Sequence, residues 1–114
     1  MSQPALNTSA GLLVSGGDID LYRELLELFV TELREVSAEL PSVHDQARSE
    51  LAHRLKGAAA AVGAETVRDE SSRVELTPRS DLGPLLTAVA EAAQDARQLV
   101  DDLRPSRMIA ERDP

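Results

Sequence analysis

The spacing of apolar residues in the first third of the chain constrains the fold more than any other feature. They recur at intervals of three and four, at Ile19, Tyr22, Leu26, Phe29, Leu33, Val36, Leu40 and Val43. This spacing keeps a single apolar stripe on one face of an α-helix and leaves the other faces to polar residues. No segment alternates between apolar and polar residues with a period of two, so the sequence predicts no β-sheet.

Glycine and proline residues set the boundaries of four predicted helices. The first begins after Gly16-Gly17, with Asp18 as its N-cap, and ends near Leu40, because Pro41 lacks a backbone donor. The second is predicted from about Asp45 to Val62, where Gly63 can supply a left-handed cap. The remaining two are predicted at about 65–76 and from residue 80 or 81 to just before Pro105.

Four amphipathic helices joined by short turns predict an all-α fold, an antiparallel up-down four-helix bundle. In the third predicted helix, the residues expected to face the core are Val67, Ser71 and Val74. In the fourth, they are Leu82, Leu86, Val89, Ala93, Ala96, Val100 and Leu103. A short extra helix at Leu12-Leu13-Val14 is expected to cover one end of the bundle. The length predicts one domain over residues 1–114 with a core of about 16–104. We expect residues 1–7 to be unanchored and 105–114 to form a flexible tail.

Charge and composition exclude several classes of function. The chain has 20 acidic and 12 basic residues, a net charge of −8, which argues against nucleic acid or an anionic membrane as a partner. It has no cysteine, and therefore no disulfide, thiolate metal site or cysteine nucleophile. The N-terminus lacks the features of a signal peptide, so we expect a cytoplasmic protein. The initial methionine and the length suit a free-standing protein, although a fragment of a larger hybrid kinase stays open.

The second helix carries an exposed histidine among unusually small side chains. On a helical wheel that starts at Leu51, the buried stripe of Leu55, Ala58 and Val62 lies within about 40°, whereas His53 lies about 200° away and faces solvent. The residues expected on the His53 side are Ser49, Lys56, Gly57, Ala60 and Ala64. A glycine inside a helix costs about 1 kcal/mol relative to alanine. This surface therefore indicates close approach by another molecule.

The sequence around this histidine resembles a known family. His53-Arg54-Leu55-Lys56-Gly57-Ala58-Ala59, followed by Val62-Gly63-Ala64, is similar to the signature of histidine-containing phosphotransfer (HPt) domains, His-x-Leu-Lys-Gly-Ser/Ala-Ala…Leu-Gly-Ala. Upstream, residues 20–29 resemble the leading helix of the family, and Val74-Glu75 resembles the Leu-Glu that closes its next helix. The resemblance covers roughly residues 16–103. It departs at positions 58–61, where alanines stand in place of the frequent Ser or Asn, and in an unusually polar third helix.

The resemblance implies a bacterial two-component phosphorelay protein that has no kinase activity of its own. His53 would accept a phosphoryl group from the aspartyl phosphate of a receiver domain and pass it to another receiver. Lys56 would offset the phosphoryl charge, and Glu75 would hold the other imidazole nitrogen. Ser49, Gly57, Ala60 and Ala64 would form the docking surface. The implied partners of this monomer are response-regulator receivers and a hybrid sensor histidine kinase; the chain needs no cofactor, and Mg²⁺ is expected on the receiver.

Two other classes of protein stay open from the residues alone. One is an adaptor bundle that binds a partner through the His53 face without phosphorylation. The other is the dimerisation hairpin of a sensor kinase, although its histidine is usually followed by Glu or Asp and here Arg54 follows. A di-iron site is rejected because the Glu-x-x-His pattern at Glu50–His53 occurs once and its histidine faces outward. His44 is expected to be an ordinary loop histidine.

Overall fold

A computed structural model describes residues 5–104, which form five α-helices and one 3-10 turn and contain no strand. The α-helices are α1 (Thr8–Val14), α2 (Ile19–Glu39), α3 (Asp45–Val62), α4 (Glu65–Leu76) and α5 (Gly83–Asp102), and the 3-10 turn is Leu40–Ser42. Helices α2 to α5 each pack on the next, and α5 also packs on α2, which closes the bundle. The prediction of an all-α helical bundle is confirmed.

Helix α2 has the predicted cap and nearly the predicted apolar stripe. The Asp18 side chain accepts a hydrogen bond of 3.0 Å from the Leu21 backbone N–H, which satisfies one of the free donors of the first turn. The buried residues of the helix are Tyr22, Leu26, Phe29, Leu33 and Val36. Ile19, which the spacing placed in the stripe, is half exposed because it lies in the first turn of the helix, at the end of the bundle.

Helix α3 ends as predicted, at a left-handed Gly63 with φ of +80°. Its buried surface is wider than the predicted stripe, because the helix packs against α1, α2 and α4. Ala52 and Ala59 are fully buried in addition to Leu55, whereas Ala58 is only partly buried at the edge of the core. Small side chains on three sides of one helix allow its neighbours to approach closely.

Helix α5 differs from its prediction in both start and orientation. It begins at Gly83 rather than at residue 80 or 81, with proline in its first turn, where the missing N–H is not needed. Its buried residues are Leu85, Ala88, Val89, Ala92, Ala96 and Val100. The predicted inward residues Leu82, Leu86, Ala93 and Leu103 are only partly buried. Packing against both α2 and α4 instead turns the row through Leu85 and Ala92 inward.

The N-terminal segment is attached to the bundle, contrary to prediction for residues 5–7. Leu6 is buried, and the Asn7 backbone N–H donates a 2.7 Å hydrogen bond to the carbonyl of Gly63 in the α3–α4 turn. Gly11 of α1 packs against the Tyr22 ring, whose hydroxyl donates to the Val62 carbonyl over 2.9 Å. The core therefore begins before the predicted boundary at residue 16.

The short N-terminal helix is confirmed and is longer than predicted. Residues 1–4 and 105–114, including the predicted tail, lie outside the described residues. None of the described helices combines the length and the apolar composition needed to cross a membrane.

Candidate functional site around His53

His53 lies near the middle of α3 and projects away from the core. The buried residues Leu51 and Leu55 lie two positions to either side of it and hold the opposite face of the helix in the bundle. Because side chains two positions apart point in nearly opposite directions, the imidazole is directed outward. Its side chain is 68% exposed. A rigid helix thus presents a nucleophilic ring to solvent.

Glu75, near the end of α4, joins two side chains of α3 through its carboxylate. Its Oε2 atom lies 2.7 Å from Nδ1 of His53, and its Oε1 atom lies 2.6 Å from Nζ of Lys56. Helices α3 and α4 pack along each other, and His53 and Lys56 are one turn apart on the same face of α3. The structure therefore brings together the three residues for which the family resemblance implies a chemical role.

The ionisation of Glu75 determines which imidazole nitrogen carries the proton. The hydrogen bond from the Lys56 ammonium lowers the pKa of the Glu75 carboxyl; partial burial opposes this effect, and the bond from His53 adds to it. The carboxylate is therefore ionised near neutral pH and can only accept hydrogen bonds. Consequently Nδ1 of His53 is the donor, and in the neutral ring Nε2 carries the lone pair on the exposed side.

The four residues predicted to form a docking surface have different environments. Gly57 and Ala60 are exposed, and a Cβ atom built on Gly57 would meet no other atom within 4 Å. Ser49 is only partly exposed, and its hydroxyl donates a 2.8 Å hydrogen bond to the Glu75 backbone carbonyl. Ala64 is completely buried, so its assignment to the surface is wrong: α3 ends at Val62, and the helical wheel does not extend beyond the Gly63 turn.

Helix α2 has an exposed apolar side chain, one turn from a residue that pairs with α3, that the sequence analysis missed. Arg54, next to His53, forms an ion pair of 2.6 Å with Glu32 of α2. Leu28 lies one turn before Glu32 on the same face of α2, and it is 66% exposed. The sequence contained a signal for this exposure, because Leu28 lies outside the three–four apolar stripe of α2. A leucine outside the stripe does not face the core and is therefore expected at the surface.

His44 lies apart from His53, Lys56 and Glu75, the three residues that form the His53 cluster. It is the residue before α3, its side chain makes no capping hydrogen bond, and it lines a surface cleft with Arg48, Pro78 and Arg79. Nothing in residues 5–104 forms a group of three or more His, Cys, Asp or Glu side chains that could hold a metal ion.

Comparison with protein families gave one match. The family model described as Hpt domain matches residues 24–105, more than two thirds of the chain, which include α3, α4 and the whole His53 cluster. Comparison with curated proteins and with solved structures gave no match.

Proposed function

Because the chain belongs to the Hpt domain family, which serves histidine phosphotransfer in phosphorelays, we propose that His53 is its phosphoacceptor. In this proposal His53 accepts a phosphoryl group from the aspartyl phosphate of one receiver domain and passes it to the aspartate of another. The observation that carries the proposal is an exposed imidazole whose Nδ1 is held 2.7 Å from the carboxylate of Glu75.

The proposed transfer uses the lone pair of Nε2. This nitrogen attacks the phosphorus atom of the aspartyl phosphate, an N–P bond forms, and the P–O bond to the aspartate breaks and leaves a free carboxylate. The imidazole ring, which keeps its Nδ1 proton, gains positive charge as the bond forms. The ionised Glu75 beside Nδ1 stabilises that charge. The Lys56 ammonium contacts the other oxygen of the same carboxylate, and in this proposal it offsets charge on the phosphoryl oxygens. Transfer to the second receiver is the same step in reverse.

The proposed docking surface consists of Gly57, Ala60 and Leu28. Phosphoryl transfer requires in-line approach of two large proteins, so the side chains around the acceptor must leave room. The two small residues leave α3 uncovered beside His53. Leu28 is exposed on the neighbouring helix α2, one turn from the Glu32 that pairs with Arg54, and is proposed to add an apolar contact. We propose receiver domains and a hybrid sensor kinase as partners of a cytoplasmic monomer, with the Mg²⁺ of the reaction bound by the receiver.

Phosphorylation of two histidine variants tests the proposal. The chain is incubated with a receiver domain that carries a radiolabelled aspartyl phosphate, and acid-labile, base-stable label on the chain is counted. His53→Gln is expected to abolish labelling with little change in helicity or melting temperature, because the side chain is exposed. His44→Gln is the matched control and should label like the wild type.

Two results would contradict the proposal. Labelling that survives in His53→Gln and disappears in His44→Gln would show that His44, and not His53, is the acceptor. An unlabelled wild-type chain that still binds receivers would identify an adaptor rather than a phosphotransfer protein.

A further inference from the structure

Three side chains of α3 converge on the single residue Glu75. Ser49, His53 and Lys56 lie at successive turns of one helix face, four and then three residues apart. His53 and Lys56 contact the two carboxylate oxygens of Glu75, whereas Ser49 donates its hydroxyl to the backbone carbonyl of the same residue over 2.8 Å. Ser49 is therefore the member of this set that holds the main chain of Glu75 rather than its side chain.

The Glu75 carbonyl that Ser49 contacts lies in the last turn of α4, where the helix provides no hydrogen-bond donors of its own for the carbonyls. Glu75 is the penultimate residue of a helix that ends at Leu76, and carbonyls of the last turn have no N–H partner within their helix. Helix ends fray when these groups are not satisfied from outside. The Ser49 hydroxyl supplies such a partner, and from a neighbouring helix.

A second contact holds the chain just after α4. Arg48, adjacent to Ser49, donates from Nη1 to the Pro78 carbonyl over 3.3 Å and from Nε to the Val43 carbonyl over 3.0 Å. The guanidinium thus links the segment that follows α4 to the segment that precedes α3. Ser49 secures the last turn of α4 and Arg48 secures the turn beyond it, and both attach to the N-terminal half of α3.

We infer that Ser49 is a positioning residue, which fixes the end of α4 so that the Glu75 carboxylate stays at Nδ1 of His53 and keeps the proton on that nitrogen. Its importance for transfer rests on the proposed function. A glutamate side chain has several freely rotating bonds, so its carboxylate is held at one place only if its own backbone is fixed. Loss of the Ser49 hydroxyl would loosen the carboxylate and allow the proton to move to Nε2, where it blocks the nucleophilic lone pair.

Nitrogen NMR of the imidazole measures directly which ring nitrogen of His53 carries the proton, and it needs no phosphodonor. In protein labelled with ¹⁵N-histidine, the shifts of Nδ1 and Nε2 of His53 give the ratio of the two neutral tautomers, with His44→Gln used to assign the signals. Ser49→Ala is expected to move the ratio toward the Nε2–H tautomer by about fivefold, as befits the loss of one hydrogen bond. Glu75→Ala gives the largest expected change in the tautomer ratio, because it removes the carboxylate altogether.

Ser42→Ala is the matched control, because its hydroxyl also donates to a backbone carbonyl, that of Glu39 over 2.9 Å, on a different part of the chain. It should leave the tautomer ratio unchanged. A wild-type ratio in Ser49→Ala would overturn the inference, and so would an unchanged ratio in Glu75→Ala.

Transfer assays on the same variants separate this inference from the proposed function. If the wild type accepts phosphoryl groups on His53 and Ser49→Ala keeps the wild-type tautomer ratio, only the positioning role of Ser49 is refuted. If no receiver labels His53, the phosphotransfer proposal fails, while a shifted ratio in Ser49→Ala still establishes that Ser49 positions Glu75.

Discussion

At the scale of residues, Gly57 is the position where docking can be separated from chemistry. It is one turn beyond His53 on the exposed face, with open space around it. A misplacement of about 1 Å between reacting groups can slow a reaction by about a hundredfold. We therefore expect Gly57→Gln to slow phosphoryl transfer from a receiver by about that factor, measured as the rate at which label reaches His53, while circular dichroism shows an intact helical fold.

Small phosphodonors provide the control for this variant. Acetyl phosphate and phosphoramidate need no protein surface, so their slow reaction with His53 should change little in Gly57→Gln. Lys56→Ala should slow both the receiver and the small donors, because the lysine charge acts on the phosphoryl group itself. Equal rates for Gly57→Gln and the wild type with a cognate receiver would mean that the partner docks elsewhere.

The sequence alone predicted the positions of some residues of the site but not of others. The periodicity of α3 alone predicted that His53 faces solvent, because Leu51 and Leu55 had to face the core. Glu75 was identified only through the family resemblance, since its distance from His53 depends on how α4 packs along α3. The hydrogen bond of Ser49 and the burial of Ala64 were missed because a wheel describes one helix without its neighbours or its end.

At the scale of elements, the helix ends at Asp18 and Gly63 were predicted better than the buried face of α5. Asp18 acts through a capping side chain and Gly63 through a left-handed backbone. Both effects depend only on neighbouring residues, so these helix ends can be predicted from the sequence alone. The face of α5 was mispredicted because this helix is rich in alanine, and several three–four rows through it are equally apolar. Only contact with α2 and α4 determines which row is buried.

A pair of glycine substitutions tests how the elements pack. A Cβ atom on Gly11 of α1 would collide with the Tyr22 ring and the Val62 carbonyl, whereas Gly57 has open space. We expect Gly11→Ala to lower the free energy of unfolding by about 1–3 kcal/mol through overpacking. Gly57→Ala should raise it by up to about 1 kcal/mol through helix propensity. Urea unfolding followed by circular dichroism measures both, and a Gly11→Ala variant as stable as the wild type would contradict the close contact of α1 with α2.

At the scale of the whole molecule, the domain extends beyond the segment that matches its family. The match begins at residue 24, yet Leu6 is buried in the core and Asn7 binds the α3–α4 turn. Deletion of residues 1–15 is therefore expected to lower the melting temperature by about 10 °C, since burial of one leucine contributes about 2 kcal/mol and 1 kcal/mol corresponds to about 4–8 °C in a domain of this size.

Two leucine substitutions provide the controls for that deletion. Leu6→Ala should reproduce much of the loss, because its side chain is buried, whereas Leu13→Ala should have almost no effect, because Leu13 is 81% exposed. A deletion variant that melts with the wild type in differential scanning calorimetry would show that the N-terminal segment adds nothing to the bundle.

Lys56 is the only lysine among the 114 residues, and every other basic side chain apart from the two histidines is an arginine. Its ammonium lies 2.6 Å from Glu75, inside the cluster that contains the imidazole. Amine chemistry therefore has one side-chain target in the molecule besides the terminal amino group. Reductive methylation with ¹³C-formaldehyde keeps the positive charge and places a magnetic label within the His53 cluster, so the phosphorylation state and the arrival of a partner become visible in a one-dimensional spectrum.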